Sequence, residues 1–267
     1  LSEAGSALAP RFTALREARR AALIPYVTAG YPDLGATRAV LEGAAEAGAD
    51  VIELGVPFSD PVADGPVIQT ASFEALRSGV TLERALQLIR GSAPSVPVVI
   101  MTYLNPVLAF GPARFAKAAR EAGASGLLVT DLPAGADPAV EAELGASRLP
   151  LIRLVAPTTS GRRLVEVVGG CQGFVYLVAR LGVTGATERL APELAERVGA
   201  VRAVSSLPVA VGFGISSGEQ ARAASSVADG VVVGSAVVER MGRGGAAAAL
   251  RFLKELRRAM DQRAGAA

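Results

Sequence analysis

The sequence has no histidine, one cysteine and only two lysines, and these shortages remove several chemistries before any motif is considered. Without histidine, and with Cys171 as the one thiol, a zinc site would have to be almost all carboxylate, which zinc rarely uses. No metal is expected, and magnesium held by oxygen ligands is the one divalent alternative that the composition leaves. Lys117 and Lys254 both fall in amphipathic helical patterns away from strand ends. A Schiff-base lysine is therefore not expected, nor is pyridoxal phosphate catalysis by this chain alone. Cys171 has no partner for an internal disulfide, which fits a reducing compartment, and reads as a small buried apolar residue. Aromatic residues make up 4% of the chain, so its scattered cations lack stacking platforms and nucleic-acid binding is not expected. No apolar run reaches the roughly 18 residues that span a bilayer, and the first segment lacks a signal-peptide pattern. A soluble, cytoplasmic protein with no membrane contact is expected.

What the sequence does contain is a regular alternation. Its 267 residues are 51% apolar, a length and composition that suit one α/β barrel domain spanning 1–267. An amphipathic helix over 6–20 precedes short apolar runs at 23–28, 51–54, 97–103, 126–130, 150–155, 173–178, 208–212 and 229–233. Between them fall helical patterns at 36–47, 66–77, 81–91, 112–122, 137–146, 192–204 and 217–226, one from Ser160 as N-cap to about 168, a short helix from Ser235 and a last helix near 244–261. Strands alternating with helices imply a parallel sheet, and strands without polar alternation imply burial on both faces. Eight such units close into a (β/α)8 barrel with an extra N-terminal helix. An open doubly wound sheet is the runner-up, weakened because no G-x-G-x-x-G follows the first strand.

The chemistry gathers around Val51–Gly65, VIELGVPFSDPVADG, where an apolar strand delivers a carboxylate and breaks into a Pro- and Asp-rich loop. Glu53 lies within that strand. Burial would raise its pKa and make it a proton shuttle near neutrality, whereas pairing with a buried arginine would make it structural. In a barrel the active face is formed by strand ends and the loops after them, which places Glu53, Asp60, Asp64, Tyr103, Asp131, Tyr176 and Arg180 on one rim. Asp64, on the loop and ionised, suits a second role of holding a positive charge or an N–H group. Asp60 reads as a turn former, Asp131 as a structural or subunit contact, and Tyr26, Met101 and Phe213 as pocket walls. Glycine-rich turns follow the last three strands at 182–185, 212–216 and 234–235. They suit a phosphate held by backbone N–H groups, or simply tight strand-to-helix turns.

ELGVPFSDPVADGPVIQ at 53–69, with PYVTAGYP at 25–32, RLGVTG at 180–185, GFGIS at 212–216 and GSAVV at 234–238, closely resembles the tryptophan synthase alpha-subunit family. The match runs in order from about residue 20 to 240, and its first motif is the specific one. The resemblance implies a barrel lyase that cleaves indole-3-glycerol phosphate to indole and glyceraldehyde 3-phosphate. It also implies an α2β2 complex with a beta subunit that carries the pyridoxal phosphate, and no cofactor in this chain. Residue by residue, it makes Glu53 the catalytic acid/base and Asp64 the carboxylate facing the indole N–H. Gly185, Gly212, Phe213, Gly214, Gly234 and Ser235 correspond to phosphate positions, Tyr26, Met101 and Tyr176 to the indole pocket, and Arg180 and Thr184 to the closing loop. Ala179 stands where the family often has serine, and Leu181 follows Arg180, which bears on loop packing rather than chemistry. A free-standing lyase and a weakly catalytic regulatory subunit are the alternatives.

Overall fold

The apolar runs become strands buried on both faces. In the computed structural model, which describes residues 7–179, 187–212 and 214–262, α1 (Leu8–Glu17) precedes β1 (Ala22–Thr28), α2 (Leu34–Gly43), β2 (Ile52–Gly55), α3 (Pro66–Arg77), α4 (Leu82–Ser92) and β3 (Val98–Thr102). Next come α5 (Leu104–Phe110), α6 (Pro112–Ala122), β4 (Gly126–Val129), α7 (Pro138–Gly145), β5 (Leu151–Val155) and α8 (Gly161–Gly169). The series ends with β6 (Val175–Val178), α9 (Thr187–Arg202), β7 (Val209–Gly212), α10 (Gly218–Ser225), β8 (Gly230–Val233) and α11 (Ser235–Asp261). All eight strands are parallel and close in sequence order, with β8 pairing back onto β1 from Ala22–Gly230 to Pro25–Val233. The architecture is the expected (β/α)8 barrel with one additional N-terminal helix.

Side-chain alternation along each strand divides the core in two. Ile52, Leu54, Ile100, Leu127 and Val175 point outward into the layer between barrel and helices. Ile24, Val51, Val99, Leu128 and Ile152 point inward and fill the lumen. The buried stripe of α1, Leu8, Phe12 and Leu15, joins that inner cluster, with the Phe12 ring centroid 5.5 Å from Phe174. Helix α1 thus plugs the N-terminal end of the barrel, and polar chemistry is left to the opposite rim.

A buried charge cluster locks the plugged end. Asp50, 1% exposed, accepts the Leu23 N–H at 2.8 Å and pairs with Arg11 and with Arg257, the latter at 3.3 Å. Arg257 also donates to the Ala21 carbonyl at 3.0 Å and to Asp261 at 2.7 Å. The cluster joins α1, β1 and α11, whose paired residues lie up to 207 positions apart. Gly48 makes it possible: φ is +91°, and a Cβ there would come within 2.5 Å of the Arg257 Cγ.

Four local expectations are revised or refined. Between the strand expected at 97–103 and the helix expected at 112–122 lies a further helix, α5, with Pro106 in its first turn, where a missing N–H costs no intrahelical bond. Helix α9 begins at Thr187 and carries Pro192 inside it, rather than starting at 192. Ser160 occupies the N-cap of α8 but makes no side-chain cap, because Gly161 enters the helix at φ +52°. The break expected near 244 is a kink in α11 at Gly244 and Gly245, both with non-helical backbone. Cys171 is buried, its thiol pKa is pushed up to about 11 by desolvation, and Sγ lies 3.0 Å from the Phe174 carbonyl.

Candidate active site

Glu53 is central in β2, in register with Tyr26 of β1 and Val99 of β3, and its parity with Val51 turns it into the lumen. It is 1% exposed, and its Oε1 has no hydrogen-bond partner. Buried acceptors are nearly always satisfied, so an orphaned carboxyl oxygen in the lumen is a group waiting for a ligand. Desolvation raises the Glu53 pKa to about 8. The arginine-paired alternative has no support among the described residues: the buried Arg153 is bound to Glu141 and Arg257 to Asp50 and Asp261. Glu53 is therefore mostly protonated at neutral pH, which suits an acid whose conjugate base then takes a proton back.

Asp64 stands on the loop between β2 and α3, where its N–H is held by the Pro61 carbonyl at 3.0 Å and its carbonyl by Gln69 at 2.8 Å. Burial raises its pKa to about 6, opposed by a hydrogen bond that the Tyr103 hydroxyl donates to Oδ2 at 3.0 Å. At neutral pH one carboxyl is protonated and the other ionised, the separation expected where two acids have different tasks. Asp60 accepts the Ser59 hydroxyl at 2.5 Å, a contact local to its turn, and Asp131 accepts the Leu104 N–H at 2.6 Å.

Three tyrosines complete the chamber. Burial, with added repulsion from Asp64 and Glu53, raises the pKa of Tyr26; burial and the same two charges raise that of Tyr176. Burial and the Asp64 charge raise that of Tyr103 as well, so all three stay neutral as apolar walls with a polar tip. Two strand-end glycines make room for them. A Cβ at Gly55 would fall 2.1 Å from the Tyr26 hydroxyl, and one at Gly212 would fall 2.4 Å from that of Tyr176. Gly212, expected on the phosphate side, thus has a second task in seating the wall of the pocket. Met101, half-buried, packs against the lumen cluster and the Tyr26 cluster. Tyr103 is the residue that sequence reasoning placed on the rim without a role; an aromatic at a strand end gives no signal that its hydroxyl grips a carboxylate 39 positions away.

The two helix N-termini after β7 and β8 differ. That of α10 is occupied by its own side chains: Ser217 accepts the Gln220 N–H at 3.2 Å, and Gln220 accepts the Ser216 N–H at 2.8 Å. That of α11 has no side-chain cap at Gly234, and Ser235 is exposed at its first position. The Val237 N–H donates to the Gly234 carbonyl at 2.8 Å, which leaves the Ser235 and Ala236 N–H groups as the donors suited to an anion. Gly214, exposed and at φ +76°, forms the neighbouring turn. Arg180, Thr184, Gly185 and Phe213 lie outside the described residues. Among the described residues no cluster of His, Cys, Asp or Glu is placed to hold a metal, and no helix is long and apolar enough to cross a membrane. A cavity of about 480 Å³ bordered by Phe12, Arg16, Arg202 and Pro208 lies at the plugged end, away from Glu53.

A closed parallel barrel with a protonated and an ionised carboxyl at the C-terminal rim defines the class: a (β/α)8-barrel enzyme built for proton transfer. The family model described as tryptophan synthase alpha chain matches residues 12–264. The tryptophan synthase alpha chain of Laribacter hongkongensis is 48% identical over 257 residues, covering 94% of this chain and 97% of that relative. The alpha chain of Gluconobacter oxydans is 44% identical over 239 residues, covering 88% of each. A chain in the structure of Mycobacterium tuberculosis tryptophan synthase superposes with a TM-score of 0.88 at 41% identity, covering 97% of this chain and 99% of that one. The alpha chain structure from Legionella pneumophila gives a TM-score of 0.89 at 32% identity, with coverage of 98% and 100%. This chain belongs to the tryptophan synthase alpha chain family.

Proposed function

We propose that this chain carries out the carbon–carbon lyase reaction of its family, cleaving indole-3-glycerol phosphate to indole and glyceraldehyde 3-phosphate, with Glu53 as the acid/base and Asp64 as the counter-charge. The observation that carries the assignment is the buried carboxyl of Glu53, its Oε1 without a partner, in a chamber whose Tyr26 and Tyr176 feel the charges of both Glu53 and Asp64. Breaking a C–C bond requires an electron sink, and a chain without an iminium-forming lysine leaves that role to the substrate. Glu53 delivers its proton to indole C3, and the ring becomes an iminium whose N–H faces the Asp64 carboxylate. The Glu53 carboxylate then takes the proton of the glycerol hydroxyl. As the carbonyl forms, the C–C bond breaks, its electrons return to the ring, and neutral indole leaves.

Tyr26, Met101 and Tyr176 wall the indole. The phosphate is assigned to the N-terminus of α11 at Gly234 and Ser235, with Gly212 and Gly214 in the neighbouring turn; the family resemblance adds Gly185 and Phe213 to the phosphate positions and Arg180 and Thr184 to a closing loop. The uncapped helix end supports the placement. Family membership implies a beta-subunit partner, and we assign this chain to an α2β2 complex in the cytoplasm whose beta subunit alone holds pyridoxal phosphate. The loop at Pro57–Asp60 and helix α5 would dock it: Leu108 of α5 is 48% exposed, and Phe58 is half-buried beside the rim.

The pH profile tests the assignment. Activity requires Asp64 ionised and Glu53 protonated, so kcat/KM should fall below about pH 6 and again above about pH 8. These are the macroscopic limbs of an interacting pair. Activity that stays level from pH 5 to 9 would remove both carboxyls from their roles.

A further inference from the structure

We propose, resting on the functional reading above, that Tyr103 is a positioning residue that holds the Asp64 carboxylate against the reacting ring. Tyr103 follows β3 and is 3% exposed, so its phenol approaches the loop from a fixed base. The hydroxyl makes two contacts with neighbouring residues of that loop: it donates to Asp64 Oδ2 at 3.0 Å and accepts the Ala63 N–H at 3.1 Å. The loop needs such a grip, since Val62 beside it is 83% exposed.

Tyr103 is itself held from two directions. Its ring stacks on Phe58, with centroids 5.0 Å apart and planes at 29°, which fixes its swing toward Asp64. Its backbone is pinned through the next residue, because the Leu104 N–H donates to Asp131 Oδ1 at 2.6 Å. The strand-3 rim, the Asp131 carboxylate and Phe58 of the β2–α3 loop thus converge on one hydroxyl, and that hydroxyl sets Asp64. The bond also acts on charge. A donated O–H stabilises the ionised carboxylate and opposes the desolvation that raises its pKa. Losing the donor leaves Asp64 looser and harder to ionise.

Tyr103→Phe removes the hydroxyl and keeps the buried ring and its stack. The expected result is a fall in kcat at pH 7 of about tenfold with a smaller change in KM. The acidic limb of kcat/KM moves to higher pH, and the loss shrinks toward pH 8. A purely structural role would move neither limb. Placing 3-fluorotyrosine, a stronger donor of nearly the same shape, at position 103 should move the same limb to lower pH, and this holds the test open if the phenylalanine variant fails to fold. Asp64→Asn and the double variant are measured beside them. In the proposal, Asp64→Asn abolishes the acidic limb and adding Tyr103→Phe costs little more. If Asp64→Asn is crippling while Tyr103→Phe leaves kcat and the limb unchanged, or the two losses multiply, the positioning role is overturned and the functional reading stands. If Asp64→Asn itself is harmless, the functional reading fails and the positioning role with it.

Discussion

Glu53→Gln is expected to lower indole release by at least about 10³-fold with KM changed by less than about threefold, because one side chain performs two proton transfers, each contributing about 10² to 10⁴. Gln preserves the shape of the side chain and removes the titratable proton. The same substitution has a second signature that separates chemistry from folding. The folded pKa of Glu53, about 8, lies far above the roughly 4.3 of an unfolded chain. Its contribution to stability is therefore fully present below about pH 4 and is lost progressively as pH rises toward 8. Gln cannot ionise, so the inactive variant should grow more stable than the parent between pH 5 and 8, by an amount of order a few kcal/mol at the upper end. Thermal melts of both proteins across that range read the effect directly. Undiminished turnover would remove Glu53 from the mechanism, and a melting difference that is flat with pH would contradict its burial as an unpaired acid.

Asp50→Ala should be the most damaging single change to the fold. It removes one of the two carboxylates that pair with the buried Arg257, the carboxylate that pairs with Arg11, and the acceptor of the Leu23 N–H at the foot of β1. Arg257 retains Asp261 and a backbone carbonyl, and Arg11 is partly exposed, so the loss should sit near the low end for a broken buried pair, about 3 kcal/mol. For a chain of this size that corresponds to a fall in Tm of roughly 6 to 12 °C. Because the cluster lies at the plugged end of the barrel, kcat measured well below the transition should be unchanged. A shift under about 1 kcal/mol would show that the cluster is a solvated surface network rather than a lock.

The barrel was legible because both of its signals are local. Each strand is a run of four to seven mostly apolar residues buried on both faces, and each is followed by a helical period. Where expectation failed, the missing information was positional or long-range. Helix α5 was not expected, because Pro106 is the same residue type in a loop or in the first turn of a helix, and only the backbone before it decides. At the site, Glu53 was found from an apolar strand interrupted by one acid, and Asp64 from the loop that follows. The Tyr103 hydroxyl on Asp64 and the Tyr176 hydroxyl over Gly212 join strands far apart in sequence, and no periodicity encodes either. The Asp50–Arg257 pair, 207 positions apart, is a further case. The helix ends after β7 and β8 both read as anion sites, and only the side chains of Ser217 and Gln220 filling the first show that the second is the open one.

The central claim is that a buried glutamate on β2 and an aspartate on the loop after it make this chain a lyase that works with a beta subunit. Indole release from indole-3-glycerol phosphate by the purified chain, measured with and without an added tryptophan synthase beta subunit, tests it most directly. The account predicts weak turnover alone that rises strongly with the partner and is lost in both conditions with Glu53→Gln. No indole release by the parent chain in either condition would contradict it.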